Sequence, residues 1–492
     1  MTDRPPELRL FTDELIVDNF AGGGGASTGI RQAIGRDPDI AINHDREALA
    51  LYRANHPTTR VLCEDVFDVN PRMVCGGRRV GLLWASPDCT FFSKARGGVP
   101  HRDRDRARRR RGLAGVVLRW AAEVRPRVII VENVEEFRSW GPLGEDGRPC
   151  PERRGLSYRR WRRRLENLGY QVDERELRAC DYGAPTSRKR LFIVACCDGR
   201  APAWPEPTHG PGRGAPYRTA AECIDWTIPC PSIFGRKKPL AEATLRRIAR
   251  GIRRYVLEAA QPFIVPLTHQ GDERVYSAAE PLRTVTGANR GEQALVMPFL
   301  STYHGEKGAE EARGGPLSGQ LPTQDTSNRH ALVAPVIARL GQQNGNGAYV
   351  NDACDPLTTV TTKAEHMLVA PAAAAAARAA QMRAFLLAYY GTDQDPQLGL
   401  PLPTLTTRDR FAVVMVAGVE HVIVDIGMRM LSPRELYLAQ GFPAGYVIDL
   451  EVDGRALTKG AQVRMVGNSV SPWPAAQLVR AQFQARAAAE VA

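Results

Sequence analysis

The ten cysteines of this 492-residue chain form no CxxC pair. That rules out the common zinc-ribbon spacings and offers no disulfide framework, so most of them read as reduced, small core residues. No run of 18 apolar residues occurs, which excludes a membrane-spanning helix of ordinary length. The N-terminus MTDRPPELRL lacks the apolar segment of a secretory signal, so a cytoplasmic location is expected. A P-loop is missing as well, because no GK[ST] follows the one glycine-rich stretch. What the chain does have is positive charge: 66 Lys and Arg against 54 Asp and Glu, a net charge of +12. Such a surplus suits a polyanionic partner such as nucleic acid.

The hydrophobic fraction of 43% and the length support more than one core. From Leu15 to about Ala195, short apolar runs alternate with helical stretches. LIVDNF, DIAIN, VGLLWAS, RVIIVEN and RLFIVACC read as buried strands, and REALALYRAN, RGLAGVVLRWAAEV and YRRWRRRLENLG as helices. This alternation predicts a doubly wound, mostly parallel sheet covered on both faces. Pro, Gly and Thr become frequent after about Pro202, with helices expected only near 240–260 and 372–387. A loose repeat runs through that region. EPLRTVTG, GQLPTQDT, DPLTTVTT and LPLPTLTT begin its units, and ALVMP, ALVAP, MLVAP and AVVMV follow. Each unit reads as a β-hairpin with a polar loop. Alternation then resumes, with SPRELYLAQG as a capped helix and WPAAQLVRAQFQARAAA as a last one. The expected organisation is 12–198, an inserted β-rich region over 199–426, and a return to the first domain over 427–492.

Chemistry-bearing residues cluster where strands end. The first strand runs into DNFAGGGGASTGI, whose small residues let a ligand approach the backbone. The second ends INHD, and CEDVFDV follows the third. In doubly wound folds these strand ends face the nucleoside of a cofactor. The fourth strand opens into WASPDCTFFSKARGG. Cys89 follows that strand rather than lying within it, and Lys94 and Arg96 nearby favour a thiolate. Glu132 ends the fifth strand, so a nucleophile and an acid share one sheet edge. Arg188 and Arg190 open a later strand at alternate positions and so face one way. The run HRDRDRARRRRG fits phosphate contact as well as a solvated linker.

In this order the motifs resemble the carbon-5 cytosine-specific DNA methyltransferase family. DNFAGGGG is similar to its cofactor loop, SPDC to its nucleophile loop, ENV to its catalytic acid strand and TSRKR to its Arg strand; RELYLAQGFP and GNSVSP are similar to its C-terminal motifs. The resemblance implies methyl transfer from S-adenosyl-L-methionine to carbon 5 of a flipped cytosine in double-stranded DNA, without a metal. Cys89, Glu132, Arg188 and Arg190 would be catalytic. Phe20, Gly23, Gly25, Asn43, His44, Asp65, Val66 and Asn468 would line the cofactor pocket. The inserted region would recognise the target, on a monomer of the type found in restriction–modification. Three positions depart from the pattern. Asp88 is inserted between Pro87 and Cys89, Asn43 replaces the ribose-binding Glu with Asp45 able to compensate, and Thr186 replaces a Gln. Two alternatives share these motifs: an RNA cytosine methyltransferase, and an inactive DNA-binding homologue, against which the intact Cys89, Glu132, Arg188 and Arg190 argue.

Overall fold

The computed structural model describes residues 14–88, 112–144, 150–240 apart from 226, 230 and 235, then 275–284 and 425–490, with isolated residues and short strands between 245 and 422. The described residues fall into two compact units. The first draws on Met1–Asp225, Ala279–Glu292 and Ser432–Ala492, the second on Trp226–Ala278 and Gln293–Leu431.

The first unit is built on a seven-stranded sheet in the order β3-β2-β1-β4-β5-β7-β6. Its strands are β1 (Leu15–Asn19), β2 (Ile40–Asn43), β3 (Arg60–Cys63), β4 (Val80–Ala85), β5 (Val128–Asn133), β6 (Gln171–Arg178) and β7 (Lys189–Cys196). Strands β1 to β5 pair in parallel, while β7 pairs antiparallel with both β5 and β6. The fold is therefore doubly wound and mostly parallel. Strands β1, β4 and β5 are buried at every position because helices cover both faces.

Among the described residues, eight α-helices belong to this unit: α1 (Gly25–Ile34), α2 (Arg46–Asn55), α3 (Pro71–Cys75), α4 (Ala114–Glu123), α5 (Leu156–Asn167), α6 (Pro433–Ala439), α7 (Lys459–Asn468) and α8 (Pro472–Glu490). One face of the sheet packs Val17, Leu83 and Val131 against Val117 and Trp120 of α4 and Trp161 of α5. The other packs Ile16, Ile130 and Phe192 against Ile30 of α1 and Leu478 and Val479 of α8. Ser432 and Glu435 form the capping box of α6, with Pro433 at its first turn.

Strand β6 was not among the runs read as strands. Its sequence, QVDERELR, carries charge at most positions because it is an edge strand. The charges are matched by neighbours: Arg138 reaches Glu174 at 2.8 Å and Glu176 at 2.5 Å, and Lys189 reaches Glu176 at 2.7 Å.

The second unit is β-rich. An antiparallel sheet places β11 (Asp425–Met430) beside β10 (Gln293–Phe299), then β8 (Phe263–Pro266) and β9 (Tyr276–Ser277). Val336–Arg339 pairs with both Val350–Asp352 and His366–Val369, and Val413–Val416 with Val419–Val422. The endings of the repeat units thus lie on strands. Their polar loops, the basic run 101–111 and nearly all of the expected helices 240–260 and 372–387 lie outside the described residues.

Candidate active site

Several of the described residues singled out by sequence lie at the carboxyl edge of the seven-stranded sheet. Strands β1, β2 and β3 end side by side there, Asn19 pairing with Ile42 and Asn43 with Cys63. The chain leaves β1 through Phe20, whose φ of 63° turns the backbone sharply, and the Ala21 N–H donates to Ile42 O at 3.1 Å. Beyond the other two strands stand Asn43 and Asp65, both half-buried, exposed His44, and buried Val66.

The glycine run owes much of its composition to packing. Gly24 caps α1 at φ 91°, in the left-handed region that glycine tolerates best, and a side chain there would strike Tyr446 and His56. At Gly25 a Cβ would come within 2.2 Å of Val470 O, and at Gly23 within 2.8 Å of Leu51. The loop is thus pressed between α2 and the segment that ends α7, which also carries exposed Asn468.

A buried polar network holds the loop from within. Ser27 Oγ donates to Asp18 Oδ2 at 2.6 Å and lies 2.6 Å from Tyr52 Oη. Thr28 Oγ1 donates to Gly24 O at 2.7 Å, and Tyr446 Oη donates to Gly23 O. His56 Nε2 lies 3.3 Å from Thr28 Oγ1, and its Nδ1 lies 2.8 Å from Asp37 Oδ1. Burial pushes the Asp18 carboxyl up to about 7, against the pull of the Ser27 hydroxyl. Sequence reasoning missed these residues. The one signal was an aspartate inside an otherwise apolar strand.

Asp45, read from the sequence as able to compensate at the ribose, also has a structural task. Its Oδ1 accepts from Ala48 N and caps α2, while Oδ2 takes Arg464 Nη1 at 2.6 Å. Burial raises the Asp45 carboxyl, but these bonds outweigh it and hold the group below the ordinary value. Asn43 Oδ1 in turn accepts from Asp45 N at 2.9 Å. Asp45→Ala should therefore cost about 1 kcal/mol in stability, chiefly the lost cap, with little from the half-exposed ion pair. It should leave cofactor affinity within about threefold, because the backbone N–H that holds Asn43 Oδ1 survives the substitution. Calorimetric titration alongside urea unfolding checks both; a large loss of affinity at unchanged stability would restore the ribose role.

Farther along the edge, Glu132 is buried at the end of β5, and Arg190 Nε reaches its Oε1 at 3.2 Å. Arg188 is buried too, and its Nη1 donates to Gly467 O at 3.0 Å. Glu132, Arg188, Arg190 and Ser471 line one small cavity. Thr186 Oγ1 accepts from Arg188 N at 3.3 Å, so this departure from the family pattern still supports the Arg strand. Beside it, Ser187 N donates to Leu282 O at 2.7 Å, a bond within the first unit. The loop leaving β4 is tied to the same edge: Asn133 Nδ2 donates to Pro87 O at 3.1 Å, and Ser86 N to Asn19 O at 3.3 Å. Cys89 lies outside the described residues, two positions beyond Pro87. Among the described residues no three His, Cys, Asp or Glu are grouped to hold a metal, and no helix is long and apolar enough to cross a membrane.

The model of the C-5 cytosine-specific DNA methylase family matches residues 15–209, the span that holds this edge from β1 through β7. Residues 15–209 belong to that family. Among curated methylase relatives, type II methyltransferase M.AgeI of Thalassovita gelatinovora is 31% identical over 202 residues, covering 40% of this chain and 43% of its own length. M.AquIA of Picosynechococcus is 27% identical over 241 residues, covering 44% of this chain and 90% of its own. The match thus spans less than half of M.AgeI. A crystal structure of Spodoptera frugiperda DNMT2 superposes with a TM-score of 0.48 at 14% identity, over 96% of this chain and 99% of that one.

Proposed function

We propose that the chain is a DNA cytosine-5 methyltransferase using S-adenosyl-L-methionine as methyl donor. The observation that carries this reading is the Glu132–Arg190 pair, set on the sheet edge to which the Pro87 loop is tied. The cofactor fits the strand-end residues: Asp65 and Asn43 offer oxygen acceptors to a nucleoside and Val66 an apolar wall. Phe20, Gly23, Gly25, His44 and Asn468 complete the candidate pocket. When bound, the cofactor supplies an activated methyl group.

The chain's own residues do the rest. A target cytosine must leave the duplex stack to be reached. The Cys89 thiolate adds to ring carbon 6, which makes carbon 5 nucleophilic. Glu132, oriented by Arg190, holds a proton at ring nitrogen 3. Arg190 and Arg188 supply positive charge where negative charge develops on the ring. Once carbon 5 carries the methyl, loss of its proton expels the thiolate and restores the ring. The net charge of +12 favours a polyanionic substrate.

Recognition of the duplex we assign to the β-rich region 199–426. His304, Lys307, Asn328, Arg329, Gln342, Asn344, Arg408 and Arg410, all outside the described residues, are groups suited to base edges and phosphates. Bisulfite sequencing of DNA from cells expressing the protein should show a defined methylated site, and purified protein should label DNA but not tRNA. Alanine substitutions across those loops should relax the site at single positions. Label in tRNA alone would transfer the reading to RNA, and label in neither would end it.

A further inference from the structure

Arg119 sits on α4, half-buried, with its guanidinium turned onto a single distant turn. Nη1 donates to Phe67 O at 2.8 Å, and Nη2 donates to Val66 O and Val69 O, both at 2.7 Å. No carboxylate pairs with it among the described residues. One cation thus gathers three backbone carbonyls from the stretch joining β3 to α3.

That stretch contains no regular secondary structure before α3. It is too short for regular structure, and α3 itself has five residues, capped by Asn70 through Met73 N. Val66 and Val69 are buried beneath it. Asp65 closes the turn: its Oδ1 accepts from Phe67 N at 3.0 Å, and its carbonyl accepts from Asp68 N at 2.9 Å. The carbonyls of Val66, Phe67 and Val69 converge on a planar, always-charged donor set. Helix α4 does not need this contact to stay docked, since Val116, Val117, Trp120 and Ala121 bury its inner face. What the clamp fixes is the backbone that directly follows Asp65, from Val66 to Val69.

We propose that Arg119 is a positioning residue for the cofactor: it holds the 65–69 turn so that Asp65 meets the exocyclic amino group of the adenine. This rests on the reading that Asp65 and Val66 receive S-adenosylmethionine. A carboxylate displaced by an ångström loses most of its advantage as an acceptor. Lysine offers donors as a compact point charge and cannot span three carbonyls in the same fork geometry.

The test compares S-adenosylhomocysteine with S-inosylhomocysteine, in which an oxygen replaces that amino group. Calorimetry on the full chain should show wild type preferring the adenosyl ligand by at least about tenfold, since a lost donor leaves Asp65 facing an oxygen. In Arg119→Gln the preference should fall below about threefold, with Arg119→Lys between the two. Both ligands are read on the same folded molecules, so lost stability alone does not change the ratio. In turnover, the KM for the methyl donor should rise while kcat at saturation and DNA affinity hold. A wild-type ratio in both variants, with only the melting temperature lowered, makes Arg119 structural and overturns the proposal. Wild type binding both ligands equally overturns it through Asp65, whereas wild type binding neither removes the methyltransferase reading itself.

Discussion

Cys89→Ser should reduce methyl transfer to DNA by about three orders of magnitude or more, because an alcohol at neutral pH is a far weaker nucleophile than a thiolate. DNA binding should persist, since the change removes no charge contact. Three of the other described thiols are held protonated by burial. Cys180 is next to Ala179, which lines the Glu132 cavity, but burial pushes its thiol up to about 11. Cys75 is likewise pushed to about 11 and Cys223 to about 12. Thiols this deeply protonated are poor nucleophiles. DNA carrying 5-fluorocytosine supplies a second readout, because fluorine cannot leave carbon 5 as a proton does. The covalent adduct should accumulate and map by peptide mass to Cys89. Near-normal turnover in Cys89→Ser, or an adduct on another cysteine, would sink the assignment.

How much of this was legible in the sequence follows burial. Strands β1, β4, β5 and β7 stand out as apolar runs because helices cover them on both sides. Strand β6 does not, since an edge strand with one exposed flank carries charge that masks its period. The ends of strands could be found by the same logic, which is why Asn43, Asp65 and Glu132 were identifiable as edge residues. Their partners were not. Nothing local ties Arg119 to Val66 or Arg464 to Asp45; those bonds span 53 and 419 positions and exist only after the sheet is assembled. Asp45 shows the cost of local reading. Two residues from Asn43 it looks like a spare ribose acid, and only the fold shows that it also caps a helix and pairs with Arg464.

Asp18→Asn should remove a loss of stability that the wild type suffers as the pH rises from about 4 to about 7. Asp18 is fully buried at the end of β1, its Oδ2 taking the Ser27 hydroxyl and its Oδ1 without a hydrogen-bond partner among the described residues. In the unfolded chain the carboxyl has its ordinary value near 3.8; in the fold, burial lifts it to about 7. The folded protein therefore holds a proton that the unfolded chain releases once the pH passes the ordinary value. A raised folded value means the stabilisation is complete below about 4 and is lost progressively until the pH reaches about 7. Each tenfold change in proton affinity is worth about 1.4 kcal/mol, so roughly 4 kcal/mol is at stake over that window. Asparagine can still accept the Ser27 hydroxyl through its oxygen and never ionises. Its amide adds a buried donor, so the variant should be the less stable protein at pH 5. Between pH 5 and pH 8 the variant should then gain on wild type by roughly 2–3 kcal/mol. Parallel urea unfolding at several pH values, followed by tryptophan fluorescence, gives that difference directly. A gap between the two proteins that stays constant over this range would mean that Asp18 is ionised throughout, and that the network beneath the glycine loop is built on a charge rather than on a buried acid.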